Sequence, residues 1–160
     1  MTLTPILTAP LMVQIHLLCA VLAICLGPVN IWRKRRDRLH RMMGGTWMLA
    51  MFGLATSGLM MSSWAVIGPF NPIHLFSVLT YISLAESIWH LINRRFAQHG
   101  RAMRSLYFQG LAIAGLFTFL PGRTLNETFF AASPLAGFVA TFVVVGGLAW
   151  LGWRYQPRVA

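Results

Sequence analysis

The sequence predicts an all-α membrane protein with five transmembrane helices, four of them a bundle made by a tandem two-helix repeat and the fifth packed outside it. Three observations lead there. Only 10% of the 160 residues are charged while 57% are hydrophobic, at a mean hydropathy of +0.65; water-soluble domains carry about 25% charged residues. The apolar residues gather into five runs, each near the ~20 residues that cross a bilayer as a helix. Twelve of the thirteen Lys and Arg residues stand in short connectors and in the tail, the pattern that orients a membrane protein.

The first span is expected roughly from Leu11 to Trp32, the second from His40 to Ala65 and the third from about Ile73 to Ile92. The fourth follows at about Arg104 to Leu120, and the fifth at about Pro134 to Tyr155. Backbone groups in lipid must be satisfied within their own segment, so each run is read as a helix. Pro10, Pro72 and Pro134 stand at span starts, where a missing N–H costs little, and Pro121-Gly122 stops the fourth span. The N-terminal MTLTPILTAP has no basic n-region and no small-residue cleavage site, so the first span is expected to stay in the mature protein. Residues 1–160 then form a single transmembrane domain, with repeat halves at about 11–65 and 73–120 and the last helix at about 134–155.

Connectors 33–41 and 93–104 and tail 154–160 share one side of a five-span protein, and their cations make that side cytoplasmic. The N-terminus then faces the periplasm and the C-terminus the cytoplasm of a bacterial inner membrane. Anionic lipid at the cytoplasmic face is the expected partner of the basic clusters. The net charge of +10 does not signal nucleic acid, because no basic surface separates from the apolar spans. Trp32, Trp64, Trp89, Trp153 and Tyr155 sit near span ends, as interfacial aromatic residues do. Six helical residues, about 9 Å, separate Cys19 from Cys25, too far for an unstrained disulfide. Gly146-Gly147 and Gly152 offer the last helix a close-packing face for a homo-oligomer.

An internal duplication organises the polar residues. Ile15-His16-Leu17 recurs as Ile73-His74-Leu75 and Ile31-Trp32 as Ile88-Trp89, at offsets of 58 and 57. His40-Arg41-Met42-Met43 recurs as His99-Gly100-Arg101-Ala102-Met103, Trp47 matches Tyr107, and Gly58-Leu59 matches Gly115-Leu116. A two-span unit repeats with the same orientation, so its copies are related by an axis along the membrane normal. That places His16 opposite His74 near the periplasmic side and His40 opposite His99 near the cytoplasmic side.

Two imidazoles from two helices are what a b-type haem needs on its iron faces. One or two haem b groups are therefore expected, ligated by His16/His74 and by His40/His99. Gly27 lies eleven residues after His16, Ala85 eleven after His74, and Gly58 eighteen after His40, which puts small residues on the histidine faces. Arg41, Arg101 and the Arg33–Arg36 run are candidates for the inner propionates, and Arg123 for the outer ones. Histidines near span ends are also ordinary interfacial residues, and small residues are often helix-packing surfaces.

Glu86 is the lone acid inside an apolar run, with His90 four residues on along the same face. An intramembrane carboxylate is costly and marks a functional candidate. The pair suits proton transfer or the hydrogen bonds of a quinone site; the bland reading is a structural bond from Glu86 to Ser83, Ser87 or the basic loop. The methionines of the second span, Met42, Met43, Met48, Met51, Met60 and Met61, are read as core filling rather than a Cu(I) site. No phosphate loop, nucleophile elbow or Cys-x-x-Cys motif is present.

The segments LHRMMGGTWM (39–48), HGRAMRSLY (99–107) and LPGR (120–123) resemble an uncharacterised family of bacterial multi-pass inner-membrane proteins, a domain of unknown function. The likeness runs from about His16 to Phe130. It implies a membrane location and roles for His40, Arg41, Gly44, His99, Met103 and Arg123, and brings no activity with it. In plan alone the paired histidines are similar to the ascorbate-reducible transmembrane cytochromes b, with two haems in a four-helix core. The expected function is electron transfer across or within the membrane, with a quinone or another redox protein as partner. The alternatives are a proton-coupled transporter or accessory membrane subunit using Glu86/His90, and a histidine-ligated metal site.

Overall fold

A computed structural model describes residues 4–61, 72–111, 115, 118–119, 122–130 and 133–154. Every regular element among them is helical: α1 (Thr4–Leu7), α2 (Leu11–Trp32), α3 (Arg38–Met60), α4 (Pro72–Ile92), α5 (Phe96–Ser105), α6 (Thr124–Phe130) and α7 (Pro134–Arg154). A π-helical turn, Leu106–Leu111, continues α5. The chain divides into two compact units, Pro10–Tyr107 and the remainder.

In the Pro10–Tyr107 unit α2 packs on α3, α3 on α4 and α4 on α5, while α2 and α5 meet sparsely. The packing is inside out by the standards of a protein in water. Ser57, Ser77, Thr80 and Ser87 are buried, whereas Leu18, Ile24, Leu49, Leu75 and Ile82 are each more than half exposed. Small polar residues let helices approach closely in lipid, and an apolar exterior this extensive is a lipid or partner surface. Glycines set the closest approaches: a Cβ on Gly53 would lie 2.9 Å from Cys19 Sγ, and one on Gly58 2.9 Å from Ser77 Oγ.

Local chemistry explains the helix ends. Asp37 caps α3, its Oδ1 accepting from His40 N–H at 3.0 Å. The Arg33 guanidinium grips the same carboxylate at 2.5 and 3.2 Å. That bond and the His40 amide hold the Asp37 carboxyl at a pKa of about 2. At the end of α4, Arg95 N–H reaches His90 O (2.8 Å) and Arg94 N–H reaches Leu91 O (3.1 Å), a Schellman closure. Arg94 stands at its left-handed position with φ +56°, where glycine is the usual residue.

Pro28 lies inside α2 and cannot bond the Ile24 carbonyl. The interruption is served from the side. Tyr107 Oη donates to Ile24 O at 3.4 Å, and Trp47 Nε1 donates to the neighbouring Ala23 O at 2.9 Å. Gly27 makes room for both rings, since a Cβ there would fall 2.3 Å from the Tyr107 ring and 3.0 Å from Trp47 Nε1.

In the second unit α6 packs on α1 and on α7. Asn126 Nδ2 donates to Phe119 O at 2.8 Å, and the Phe119 and Phe130 rings meet edge to face. Gly137 of α7 sits where a Cβ would strike the Phe130 ring at 2.5 Å.

Several expectations need correction. α2 and the His74–Ile92 stretch of α4 are the two helices, among the described residues, long and apolar enough to cross a membrane. α3 is as long, but Gly44, Gly45, Thr46, Thr56 and Ser57 dilute its apolar character. The helix that leads into the fourth expected span begins at Phe96 rather than at about Arg104, and runs through Ser105 into the π turn Leu106–Leu111. Much of the 93–104 connector is a helix, and part of the expected 121–133 loop is α6. The far end of the second span, residues 62–65, the connector 66–71, Pro121 and the 155–160 tail lie outside the described residues.

Candidate functional site

Two cavities lie in the Pro10–Tyr107 unit, and α4 and α5 form the layer between them. The first, about 280 Å3, is lined by Gly27 and Asn30 of α2, His40, Arg41 and Gly44 of α3, Leu91 of α4, and His99 and Met103 of α5, among others. It brings His40 and His99, the repeat-equivalent pair, onto one wall-to-wall space.

The two rings are held differently. His99 Nδ1 lies 3.0 Å from the Ser87 carbonyl and 2.8 Å from Ser87 Oγ. A carbonyl only accepts, so Nδ1 carries the proton and Nε2 keeps its lone pair. Such a bond from the far ring nitrogen is what orients a metal-ligating histidine. His40 Nδ1 is buried without a hydrogen-bond partner, and so is Asn30 Oδ1 on the same cavity wall. The repeat explains the coincidence. At the offset of 57 that relates Ile31-Trp32 to Ile88-Trp89, Asn30 is the counterpart of Ser87. One copy makes the serine–histidine bond; the other carries an acceptor and a histidine nitrogen at the matching positions, both unsatisfied. Buried polar atoms seldom stay so without a ligand or water to complete them.

His16 is also anchored through Nδ1, 3.0 Å from Ser57 Oγ. Ser57 Oγ also reaches Gly53 O (2.7 Å) and Leu54 O (3.1 Å); where either carbonyl takes the hydroxyl proton, His16 Nδ1 is the donor to Ser57. Gly58, read as a small residue on the His40 face, packs instead against Ser77 Oγ and the His16 ring. His74 stands one helical turn before Ser77 on α4, and neither His16 nor His74 lines either cavity. Gly27, read as a notch on the His16 face, lines the His40/His99 cavity and is packed against Tyr107 and Trp47.

The second cavity, about 310 Å3, is lined by Ser83, Glu86 and His90 of α4 and by Gln98, Arg101 and Ser105 of α5. Glu86 Oε1 is 3.4 Å from His90 Nε2. The histidine side chain is 13% exposed and the carboxylate 60%, and His90 Nδ1 is buried without a partner. Arg101 therefore borders the Glu86/His90 space and not the His40/His99 one, where Arg41 is the bordering cation. Ser87, one of the partners considered for Glu86, bonds His99 instead. Arg123 lies in the other unit, where its carbonyl accepts from Glu127 N–H at 2.9 Å.

Asn30 escaped the sequence reading, and Ser87 entered it only as a partner for Glu86 and not for His99. Alignment of the two repeat halves was the signal that pairs Asn30 with Ser87. Among the described residues no group of three or more His, Cys, Asp or Glu comes together as a metal site.

A family model described as "Predicted membrane protein (DUF2306)" matches residues 13–155 of the chain. No curated protein and no solved structure matches it.

Proposed function

The chain belongs to the DUF2306 family of predicted membrane proteins, and from that premise we propose that it is an electron carrier of the bacterial inner membrane, holding one b-type haem between His40 and His99. The observation that carries this reading is the pair of repeat-equivalent histidines on one cavity, one already fixed through Nδ1 and the other with Nδ1 unpartnered on a cavity that Asn30, the counterpart of Ser87, also lines. Haem iron asks for only two protein ligands, whereas structural zinc sites use four and catalytic ones three. A two-histidine cavity suits the former. Arg41, on the same cavity, offers charge to a propionate. The cavity is at the small end of ligand pockets, about 300–1,000 Å3, so the macrocycle edge would lie in the sparse seam between α2 and α5. His16 and His74 carry no haem on this reading. On this reading the site lies at the cytoplasmic face, beside anionic lipid, with the N-terminus periplasmic and five spans in all; the charge of the basic connectors supports that orientation.

A reduced-minus-oxidised visible spectrum of the detergent-purified protein, expressed with haem supplied, tests this. A Soret and sharp α-band lost in His40→Ala and His99→Ala but kept in His16→Ala is the expected result. A colourless wild type ends the reading. The Glu86–His90 contact favours one other, a proton-coupled transporter; it would show as proton-driven uptake into proteoliposomes by haem-free protein, lost in Glu86→Gln.

A further inference from the structure

We infer that the Glu86/His90 cavity is a quinol-oxidising site that binds the ring of a membrane quinone and delivers its electrons to the neighbouring histidine cavity; the electron-transfer part rests on the haem reading, the binding part does not. The chemistry of the lining asks for a ligand with an oxygen at each end. At one end stands His90, with Nε2 turned to the Glu86 carboxylate and Nδ1 buried and unpartnered. When Nε2–H donates to Glu86, Nδ1 keeps a lone pair; the atom is buried, so a ligand hydroxyl meets it through a small turn of the ring as the ligand enters. At the other end Arg101, Gln98 and Ser105 bring donors from the facing helix, suited to a second ligand oxygen. A volume of about 310 Å3 is enough for one substituted six-membered ring and not for a large headgroup.

The route in is through lipid. Leu75, Leu79 and Ile82 lie eleven, seven and four residues before Glu86, on its helical face, and are 61%, 48% and 58% exposed. They make an apolar track along α4 that ends at the carboxylate, where an isoprenoid tail can lie while the ring enters the cavity. A soluble polar substrate would have no use for that track.

The proximity to the other cavity gives the oxidation an outlet. Ser87, next to Glu86, holds His99, and Gln98 precedes His99 on α5. The step balances as one quinol and two ferric haems, in two protein copies, giving one quinone, two ferrous haems and two protons. The O–H bond at the Arg101 end releases its proton to solvent, and the one that faces His90 sends its proton to Nδ1. The resulting imidazolium faces the Glu86 carboxylate, and Glu86, 60% exposed, passes the proton to water.

Calorimetric titration of the detergent-purified full chain with decylubiquinone and with menadione tests the site. Saturable binding of at least one is expected, weakened about tenfold or more in His90→Ala and in Arg101→Leu, as loss of a ligand hydrogen bond implies. Arg101 is exposed on α5, so its variant folds even where His90→Ala does not. Glu86→Gln should slow the reduction of the Soret band by decylubiquinol about tenfold or more. No saturable binding of either quinone to wild type overturns the proposal, as does binding that both variants retain. Binding by colourless protein, with His40→Ala binding like wild type, would sink the haem reading and leave this site standing.

Discussion

Gly27→Ala is the sharpest test of how this helix bundle is held, because two opposing effects of similar size meet there. Alanine favours a helix over glycine by about 1 kcal/mol, so on propensity alone the variant should be more stable. The structure opposes that gain. The added Cβ would lie 2.3 and 2.4 Å from Tyr107 Cε2 and Cδ2, and 3.0 Å from Trp47 Nε1. Carbon pairs settle at about 3.5–4.0 Å, so the tyrosine ring must retreat by about 1 Å. It then leaves the Ile24 carbonyl, while Trp47 Nε1 is pressed off Ala23 O. Overpacking costs about 1–3 kcal/mol and an unmade buried hydrogen bond about 1–3 kcal/mol. The loss wins, by about 1–3 kcal/mol, which for a chain of this length lowers Tm by about 3–10 °C. Thermal unfolding in detergent, followed by circular dichroism at 222 nm, measures it. In a Tyr107→Ala background the same substitution should become neutral or stabilising. A Gly27→Ala protein that melts at or above wild type would mean that neither ring rests on Gly27.

Four further outcomes follow from the geometry. Ser87→Ala removes the Oγ contact to His99 Nδ1 and loosens the ring, so haem affinity by reconstitution should fall about 10–100-fold; Asn30→Ala should weaken it too, through His40. A Ser87→Ala protein with unchanged affinity would deny the serine its orienting part. Arg94→Gly relieves a left-handed backbone and should raise stability by about 0.5–1 kcal/mol, while Arg94→Ala should not. Asp37 has its pKa depressed from 3.8 to about 2, so its support of the α3 start is complete above about pH 4 and is lost as pH falls through 2. Asp37→Asn keeps the cap but not the ion pair, and should abolish that acid-range loss of helicity. Trp47→Phe should lower Tm more than Tyr107→Phe, because the first breaks a 2.9 Å buried bond and the second a 3.4 Å one.

The first span was legible to its ends, because Pro10 and Arg33 bound an unbroken apolar run and the helix occupies Leu11–Trp32. The fourth was not. Hydropathy averaged along the chain sees FAQHGRAMRS as polar, whereas the helix folds because its polar and apolar residues separate onto opposite faces. The pairing of His40 with His99 was legible through the repeat, since equivalent positions in parallel copies approach each other near their common axis. What fills the space beside a glycine was not. The eleven-residue spacing from His16 puts Gly27 on the His16 face of α2 and says nothing of which distant ring arrives there. Tyr107, eighty positions on, is the answer.

The repeat carries a last consequence. Trp47 and Tyr107 are counterparts, and both donate to the same bend of α2, at Ala23 O and Ile24 O. His40 and His99 are counterparts, and both border one cavity; Asn30 and Ser87 are counterparts, one bonded and one not. Convergence of equivalent residues is a property of symmetry, but the departures from it have chemical content. The chain holds two histidines alike while making their supports unlike: a carbonyl and a hydroxyl bond His99 Nδ1, whereas His40 Nδ1 has no partner, with the Asn30 amide on the same cavity wall. A hydroxyl can donate or accept, and an amide can turn either face. Imidazoles fixed to different degrees let one ring stay in place while the other adjusts to what enters between them. On that ground His99 is the preset side of the site and His40 the adaptable one. His99→Ala should therefore cost more ligand affinity than His40→Ala, and equal losses would contradict the inequality of their supports.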